Sequence, residues 1–427
     1  MKNSGIEKAD TEKRLKSLIK ASQSLAVEES FDRLISGLLT LAMEVTGAQA
    51  SSFMLYKPQK NVLEFIAAKN EVIGDKTDEL LIDSVEIKMG QGIAGTVAQR
   101  REPVIIEDAQ KDDSLFRQID RRTGFVTRGL LAVPVLYGDQ LLGVIEVLNA
   151  KHKPTFDVSD RELLESFAHL AAVAIIRSRL LYARLRQEKL NTQMEAAANI
   201  QSLFWPKTVK VGGTSHIWGT SVPASFVGGD VYDWIPMPDG SWLVYVADVS
   251  DKGLPAAMVM AALWSCIRSE VFFHQSVGGL IKAVNHTMYH LISEEGFFAT
   301  ILIGKYWPCS GRLEFVNGGH LPLVWCTPGH LEFISKPGGL PLGIEPHSTY
   351  KEWVIVLAPG DSVLIITDGI TEAENDQKKL FGFSGIEKLF RSTRKPPLGQ
   401  TLVEAVNCWQ GGTEPSDDLT VLEIWQN

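Results

Sequence analysis

Four separated aspartates, each at the edge of an apolar, strand-like run, restrict the folds open to the C-terminal half of this 427-residue chain. The run from Trp242 to Val246 leads to Asp248, and a small turn through Gly253 precedes an Ala/Met/Leu-rich segment with Pro255 near its start. Because proline is favoured at the first helical position, this pattern predicts a buried strand, a tight turn and a helix. Taken alone, the stretch fits a surface turn with an N-capping Asp equally well.

Three further stretches repeat the pattern. Two glycines precede Asp230 at the start of a strand, a second buried run from Ser362 leads to Asp368, and the pair Asp417 and Asp418 stands just before the last strand. If these carboxylates converge, they repel one another unless a cation lies between them. Hard oxygen ligands of this kind suit Mg²⁺ or Mn²⁺. The sequence therefore predicts a divalent-cation site.

These residues, in this order, resemble the SpoIIE-type branch of the metal-dependent serine/threonine protein phosphatases, the PPM family. The resemblance covers roughly residues 195–426 and continues through three more motifs: Phe297-Phe298-Ala299-Thr300, Asn317-Gly318-Gly319-His320-Leu321-Pro322 and Gly339-Leu340-Pro341-Leu342-Gly343. One departure is Asp251, which stands where the family more often has glycine and adds a negative charge near the expected metal.

The resemblance implies an α-β-β-α sandwich phosphatase domain over residues 207–427 that holds two Mn²⁺ or Mg²⁺ ions. It implies that Asp248 bridges both ions, that the backbone carbonyl of Val249 is a ligand, that Asp230 holds the first ion, and that Asp368 and Asp417 hold the second. Asp417 rather than Asp418 is expected to be the ligand because the family's motif puts its ligand first.

Five further residues are expected beside the ligands or the substrate: Gly229, Asp251, Gly369, His320 and Asp418. For His320, contact with substrate and simple packing both remain open.

The chemistry implied is hydrolysis of phosphoserine or phosphothreonine by a metal-activated water. Two ions about 3.5–4 Å apart supply the nucleophile and neutralise phosphoryl charge, and the sequence contains no Cys-x5-Arg phosphatase loop. In this family, whose members include RsbU-like sigma-factor regulators, the substrate is commonly a small STAS-type anti-sigma factor antagonist in bacterial partner switching. A catalytically silent docking module and a GAF-type sensor with the C-terminal domain as its output are the alternatives.

The N-terminal part, over residues 12–172, resembles a GAF domain, a small sensory α/β module. The residues that carry this resemblance are Gly90-Gln91-Gly92-Ile93-Ala94-Gly95, the strand Leu130 to Val135, Asn149, and Phe156 with Asp160. Ala150 and Arg161 replace the Lys and Glu of the cyclic-nucleotide signature, which argues against nucleotide binding. An unidentified small ligand, a protein partner and a role in dimerisation remain open.

Residues 173–206 carry an apolar stripe with alternating three- and four-residue spacing: Val173, Ile176, Leu180, Ala183, Gln187, Leu190, Met194, Ala197, Gln201 and Phe204. Such a stripe predicts a two-stranded coiled-coil linker helix and therefore a homodimer, with Gln187 and Gln201 as polar interruptions. The alternative is one long amphipathic helix lying along its own domain.

Composition excludes some classes of function. The net charge of −9 argues against a nucleic-acid binder. Residues 1–11 are polar and expected to be flexible, and no run of about 18 apolar residues occurs, so we expect a cytoplasmic protein that does not bind membranes. The fold class expected is a multidomain combination of α/β and α+β units.

Overall fold

The structure, a computed structural model, describes residues 30–74, 86–112, 120, 124–206, 209–212, 214–392 and 396–427. The predicted flexible segment 1–11 lies outside these residues. The chain divides into two compact units between Glu188 and Lys189.

The N-terminal unit is built on an antiparallel sheet with strand order β3-β2-β1-β6-β5-β4. Its strands are β1 Ala48–Lys57, β2 Val62–Asn70, β3 Glu86–Lys88, β4 Val104–Ile106, β5 Leu130–Tyr137 and β6 Gln140–Ala150. Its helices are α1 Phe31–Thr46, α2 Gly92–Arg100 and the first part of α3 Val158–Gln201. Side chains alternate across a strand, so Phe53 packs with α1 and α3 whereas Met54 packs with α2. Each face of the sheet therefore carries its own apolar core.

A buried carboxylate lies within this sheet, on the α2 side. Glu146 on β6 pairs with Ser52 in the strand register, and its carboxylate accepts a 3.5 Å hydrogen bond from the Ser52 hydroxyl. Burial raises the pKa of Glu146 to about 7, and the Ser52 bond only partly opposes that shift. The folded state therefore holds the Glu146 proton more tightly than the unfolded chain does.

We expect Glu146→Gln to stabilise the N-terminal unit by an amount that grows as the pH rises from about 4.5 to about 7. In the wild type the stability associated with this group is fully present below the unfolded pKa and is lost through that window, by about 3 kcal/mol in total. Hydrogen exchange of the β5 and β6 amides, compared between the two proteins at each pH, measures the difference. The control Glu107→Gln makes the same chemical change at an exposed position. A pH profile for Glu146→Gln no steeper than that of Glu107→Gln would contradict the prediction.

The C-terminal unit contains two antiparallel sheets, with strand orders β15-β12-β11-β10-β9 and β14-β13-β16-β17-β8-β7. The five-stranded sheet consists of β9 Val231–Pro236, β10 Trp242–Val249, β11 Ala299–Trp307, β12 Arg312–Gly318 and β15 Trp353–Val356. The six-stranded sheet consists of β7 Val209–Gly212, β8 Ser215–Val222, β13 Leu323–Cys326, β14 Leu331–Ile334, β16 Ser362–Ile366 and β17 Leu419–Gln426. The helices are α4 Leu254–Glu270, α5 Val277–Ile292, α6 Asp368–Thr371, α7 Gly382–Ser392 and α8 Leu398–Gln410.

The two sheets pack face to face, and helices cover both outer faces. Val246 of β10 and Ile365 of β16 meet in the core between the sheets. Met260 of α4 packs on the outer face of the five-stranded sheet, and Leu402 of α8 on that of the six-stranded sheet. This arrangement confirms the predicted α-β-β-α sandwich.

The helix α3 is continuous over 44 residues, but its last turn differs from the predicted seam. Leu180 and Leu190 of the stripe are 66% and 43% exposed. Gln201, in contrast, is only 4% exposed and bonds to the backbone of Gly228, and Phe204 packs on the ring of Trp264. The last two positions of the predicted seam are therefore occupied by contacts within the C-terminal unit.

One helix in the described residues, Leu254–Phe273, is long and apolar enough to cross a membrane by length and composition alone. Five of its residues, Ala256, Met260, Leu263, Ile267 and Val271, are buried in the core on the outer face of the five-stranded sheet.

Candidate active site

Two of the predicted aspartates lie at one end of the five-stranded sheet. Asp248 is the penultimate residue of β10, and alternation puts it on the same face as Val246, toward the opposing sheet. Asp230 directly precedes β9, whose first residue, Val231, pairs with Ala247 of β10. The strand pairing therefore brings Asp230 beside Asp248.

The other two aspartates lie at the corresponding end of the six-stranded sheet. Asp368 begins α6 just after β16, and Asp417 stands two residues before β17. β16 and β17 are antiparallel neighbours, and the Thr367 amide extends that pairing by donating to the Thr420 carbonyl at 3.1 Å. Consequently both aspartates emerge at the same end of this sheet.

Thr367 joins the two sheets at this end. Its hydroxyl donates to Oδ2 of Asp230 at 2.8 Å, and its Oγ1 accepts a hydrogen bond from the Thr420 amide at 3.0 Å. The bond to Asp230 spans 137 residues of sequence. Reading the sequence did not assign Thr367 a role; its place directly before Asp368 is the signal that could have identified it.

Asp418 is engaged by backbone amides. Its Oδ1 accepts from the Ala224 amide at 2.8 Å, and its Oδ2 accepts from the Gly229 amide at 2.7 Å. A carboxylate occupied in this way holds the segment before Asp230 in position. Asp417, next to it, instead pairs with the ammonium of Lys252 at 2.7 Å, and Lys252 also donates to the Ser416 carbonyl.

The carboxylates at this end raise one another's pKa values. Burial, then the charges of Asp248 and Asp418, raise the pKa of Asp230 well above its usual range. Burial, then Asp368 and Asp417, raise that of Asp248 to about 7. Burial followed by Asp417 also raises the pKa of Asp368. The four predicted positions thus form one electrostatic cluster with too little positive charge to balance it.

This donor set fits a hard divalent cation, because it offers carboxylate oxygens with an excess of negative charge. Within the described ranges, no three His, Cys, Asp or Glu side chains are already grouped as a ligand shell. Lys252 supplies the cation that Asp417 contacts in this structure. The side chains are therefore convergent but not arranged around a common centre.

Two glycines allow the backbone to pack closely at the site. A Cβ on Gly229 would lie 2.9 Å from the carbonyl oxygen of Val249, the predicted backbone ligand. A Cβ on Gly369 would lie 2.1 Å from the carbonyl oxygen of Asp418. Both glycines belong to the predicted set, and any larger residue would displace the backbone beside a carboxylate of the cluster.

His320 is half-buried, and its Nε2 atom is enclosed. Its Nδ1 lies 2.7 Å from the Thr300 hydroxyl, and Thr300 is the residue opposite Asp248 in the β10–β11 register. Burial lowers the pKa of His320 to about 4, so the ring is neutral at physiological pH. Nε2 has no hydrogen-bond partner among the residues that the structure describes. Of the two roles left open, packing behind Asp248 is the one that these contacts support.

Asp251 occupies a strained backbone position. Its φ is 69°, in the left-handed region that costs most residues with a Cβ about 1–2 kcal/mol. The side chain is exposed. Backbone strain thus gives a physical reason to expect glycine at this turn.

We expect Asp251→Gly to raise the free energy of unfolding by about 1 kcal/mol, because glycine adopts this φ without strain. The melting temperature of the full chain in EDTA measures the effect. Asp251→Asn is the matched control, since it removes the charge and keeps the Cβ. If the glycine variant melted no higher than the asparagine variant, the gain in stability would come from removal of the charge and not from relief of backbone strain.

Comparisons with known proteins match two separate parts of the chain. Residues 238–425 match the family described as Stage II sporulation protein E (SpoIIE), and residues 28–176 match the GAF domain. The SpoIIE match contains Asp248, Asp368 and Asp417 and begins after Asp230. The chain therefore carries a GAF domain followed by a SpoIIE domain, as predicted.

Two curated relatives are similar over part of the chain. Protein IcfG of Synechocystis sp. (strain ATCC 27184 / PCC 6803 / Kazusa) is 24% identical over 265 residues, 55% of this chain and 42% of that protein. Phosphoserine phosphatase RsbU of Bacillus subtilis (strain 168) is 27% identical over 193 residues, 44% of this chain and 56% of that protein. The chain thus spans about half the length of these relatives.

A solved structure supports the fold of the C-terminal unit. The SiaA-PP2C domain of Pseudomonas aeruginosa has a TM-score of 0.50 and 21% identity. The match covers 57% of this chain and 99% of that domain.

Proposed function

This chain joins a GAF domain to a SpoIIE-family domain, and we propose that it is a metal-dependent protein serine/threonine phosphatase controlled by the GAF domain. The observation that carries this proposal is the convergence of Asp230, Asp248, Asp368 and Asp417 into one partly buried, under-neutralised cluster. The name of RsbU, a phosphoserine phosphatase, supports the same class of reaction. All four aspartates are present, so no observation favours a catalytically silent docking module.

The residues that would hold two Mn²⁺ or Mg²⁺ ions are those four aspartates and the carbonyl of Val249. Bound divalent ions would activate water at neutral pH and neutralise phosphoryl charge. The other residues orient these ligands. The Thr367 hydroxyl fixes Oδ2 of Asp230, Asp418 holds the Gly229 amide, and Lys252 balances the charge of Asp417.

We propose a phosphorylated protein as substrate, specifically a small STAS-type anti-sigma factor antagonist. The support is the similarity to RsbU, because the resemblance to RsbU-like regulators implies this class of substrate. The organisation proposed is a GAF domain over 12–172 that receives a small molecule or a protein, a coiled-coil linker over 173–206, and a phosphatase domain over 207–427. We further propose a cytoplasmic homodimer joined through the linker helix.

The test of the proposed activity is hydrolysis of p-nitrophenyl phosphate and of a phosphoserine protein by the purified full chain. We expect turnover with Mn²⁺ or Mg²⁺ and none after EDTA treatment, with recovery when the ion is restored. Turnover that persisted in EDTA would refute the metal-dependent mechanism. No turnover with either ion or either substrate would favour the docking module.

A further inference from the structure

The side-chain amide of Gln201 forms two hydrogen bonds with the backbone of Gly228, beside the candidate site. Gln201 is the last residue of α3, and its Nε2 donates to the carbonyl oxygen of Gly228 at 2.7 Å. The Gly228 amide donates back to Oε1 of Gln201 at 3.1 Å. Both hydrogen bonds are buried, so water cannot replace them without cost. The side chain therefore satisfies both backbone groups of Gly228 at once.

Gly228 stands two residues before Asp230, in a segment that is held from two sides. Asp418 accepts from the Gly229 amide at 2.7 Å, on the residue between Gly228 and Asp230. A Cβ on Gly228 would meet the Asp418 carboxylate at 2.1 Å, so Asp418 closely covers this segment. Asp418 belongs to the carboxylate cluster itself, whereas Gln201 lies at the C-terminal end of helix α3.

A second contact joins the chain just after α3 to helix α4. The ring of Phe204 lies 4.7 Å from the ring of Trp264 on α4, the helix that follows the turn after Asp248. The Arg268 guanidinium, one helical turn further, stacks on Trp264 and bonds to both oxygens of Asp233 at 2.8 and 2.9 Å. Asp233 lies on β9, three residues after Asp230, so these contacts also lead back to β9.

We propose that Gln201 is a positioning residue: by bonding to both backbone groups of Gly228 it holds Asp230 where it can bind a cation, which makes the metal site depend on the docking of the last turn of α3. This inference rests on the proposed function for the identity of the ligand. It requires an amide at position 201, because only an amide can donate to the Gly228 carbonyl and accept from its N–H. A carboxylate could only accept, and an alkyl side chain could do neither.

The test uses the full chain and three variants: Gln201→Leu, Gln201→Glu, and Asn199→Ala as the control. Asn199 is an exposed amide on the same helix, and its side chain has no part in the site. The first readout is hydrogen exchange in the metal-free protein, for peptides covering residues 226–230 and residues 277–292. The second is the Mn²⁺ dissociation constant by titration calorimetry.

We expect Gln201→Leu to speed exchange of residues 226–230 by about tenfold and to weaken Mn²⁺ binding by about the same factor, since two net hydrogen bonds are lost. Exchange over 277–292 should stay unchanged. Gln201→Glu should have an intermediate effect, and Asn199→Ala should behave as wild type. Exchange over 226–230 that did not change, or that rose equally in both peptides, would overturn the proposal. Unchanged Mn²⁺ affinity in Gln201→Leu would overturn it too.

The two proposals fail in different ways. A wild-type chain that bound no Mn²⁺ and had no turnover would refute the phosphatase mechanism. In that event the exchange experiment, which needs no metal, would still decide whether Gln201 holds the segment before Asp230.

Discussion

Replacing Asp248 with alanine should lower metal-dependent turnover by about a hundredfold to a thousandfold, the scale seen when one group that stabilises transition-state charge is removed. Asp248 stands at the centre of the carboxylate cluster, since its pKa is raised by burial and then by Asp368 and Asp417. Initial rates with p-nitrophenyl phosphate at saturating Mn²⁺ measure the loss. Asp368→Ala should lose activity on a similar scale.

The fold should survive the Asp248→Ala substitution. Burial and like charges make the ionised Asp248 unfavourable in the metal-free protein, so its removal should leave the melting temperature in EDTA equal to that of wild type or higher. Loss of the bound ion should instead remove the rise in melting temperature that Mn²⁺ gives the wild type.

Asp239→Ala is the matched control for this experiment. Asp239 lies in the β9–β10 turn, pairs with Lys305 at 2.8 Å and accepts from Ser241, away from the cluster. Its loss should cost some stability and leave turnover near the wild-type value. Near-wild-type turnover in Asp248→Ala would refute the assignment of this cluster as the metal site.

Local sequence patterns predicted the strands and helices whose side chains make a clear periodic signal. The run Trp242–Val246 and the helix after Pro255 correspond to β10 and α4. Strand β8, Ser215–Val222, was not predicted, because Gly219 and two serines interrupt its strand-forming Ile, Trp, Thr and Val residues. Its pairing with β17, about 200 residues later in the chain, is what defines it.

The contrast between local patterns and contacts distant in the chain also explains which site residues could be predicted from the sequence. The aspartates could be predicted because each lies beside an apolar run: Asp248 and Asp368 come at the end of one, and Asp230 and Asp417 precede one. The roles of Thr367, Gln201 and Asp418 come from hydrogen bonds to residues 137, 27 and 189 positions away in the chain. Gln201 did interrupt the apolar stripe of α3, but a polar residue in a coiled-coil seam explained that interruption equally well.

Replacing Leu190 with aspartate should convert the proposed dimer into a monomer. Leu180 and Leu190 belong to the apolar stripe of α3 and are largely exposed in the single chain, so they gain burial only against a partner. Packing a second copy along this stripe would remove both from water, at about 1.5–3 kcal/mol for each fully buried leucine. A carboxylate at position 190 would instead face its own copy across the seam. Sedimentation velocity of the full chain over a range of concentrations measures the change.

Thr192→Asp is the control, because it adds the same charge on the opposite side of the helix, and it should leave the dimer intact. The turnover of Leu190→Asp then tells whether dimerisation matters for activity. Gln201 lies 11 residues further along the same helix and is hydrogen-bonded to both backbone groups of Gly228. A change in how two α3 helices pair would therefore alter the position of the segment before Asp230. We therefore expect the monomeric variant to differ from wild type in Mn²⁺ affinity, while Thr192→Asp does not. If the Leu190→Asp protein stayed dimeric, the proposed α3 interface would be wrong. The dimer interface would then be sought in the GAF domain.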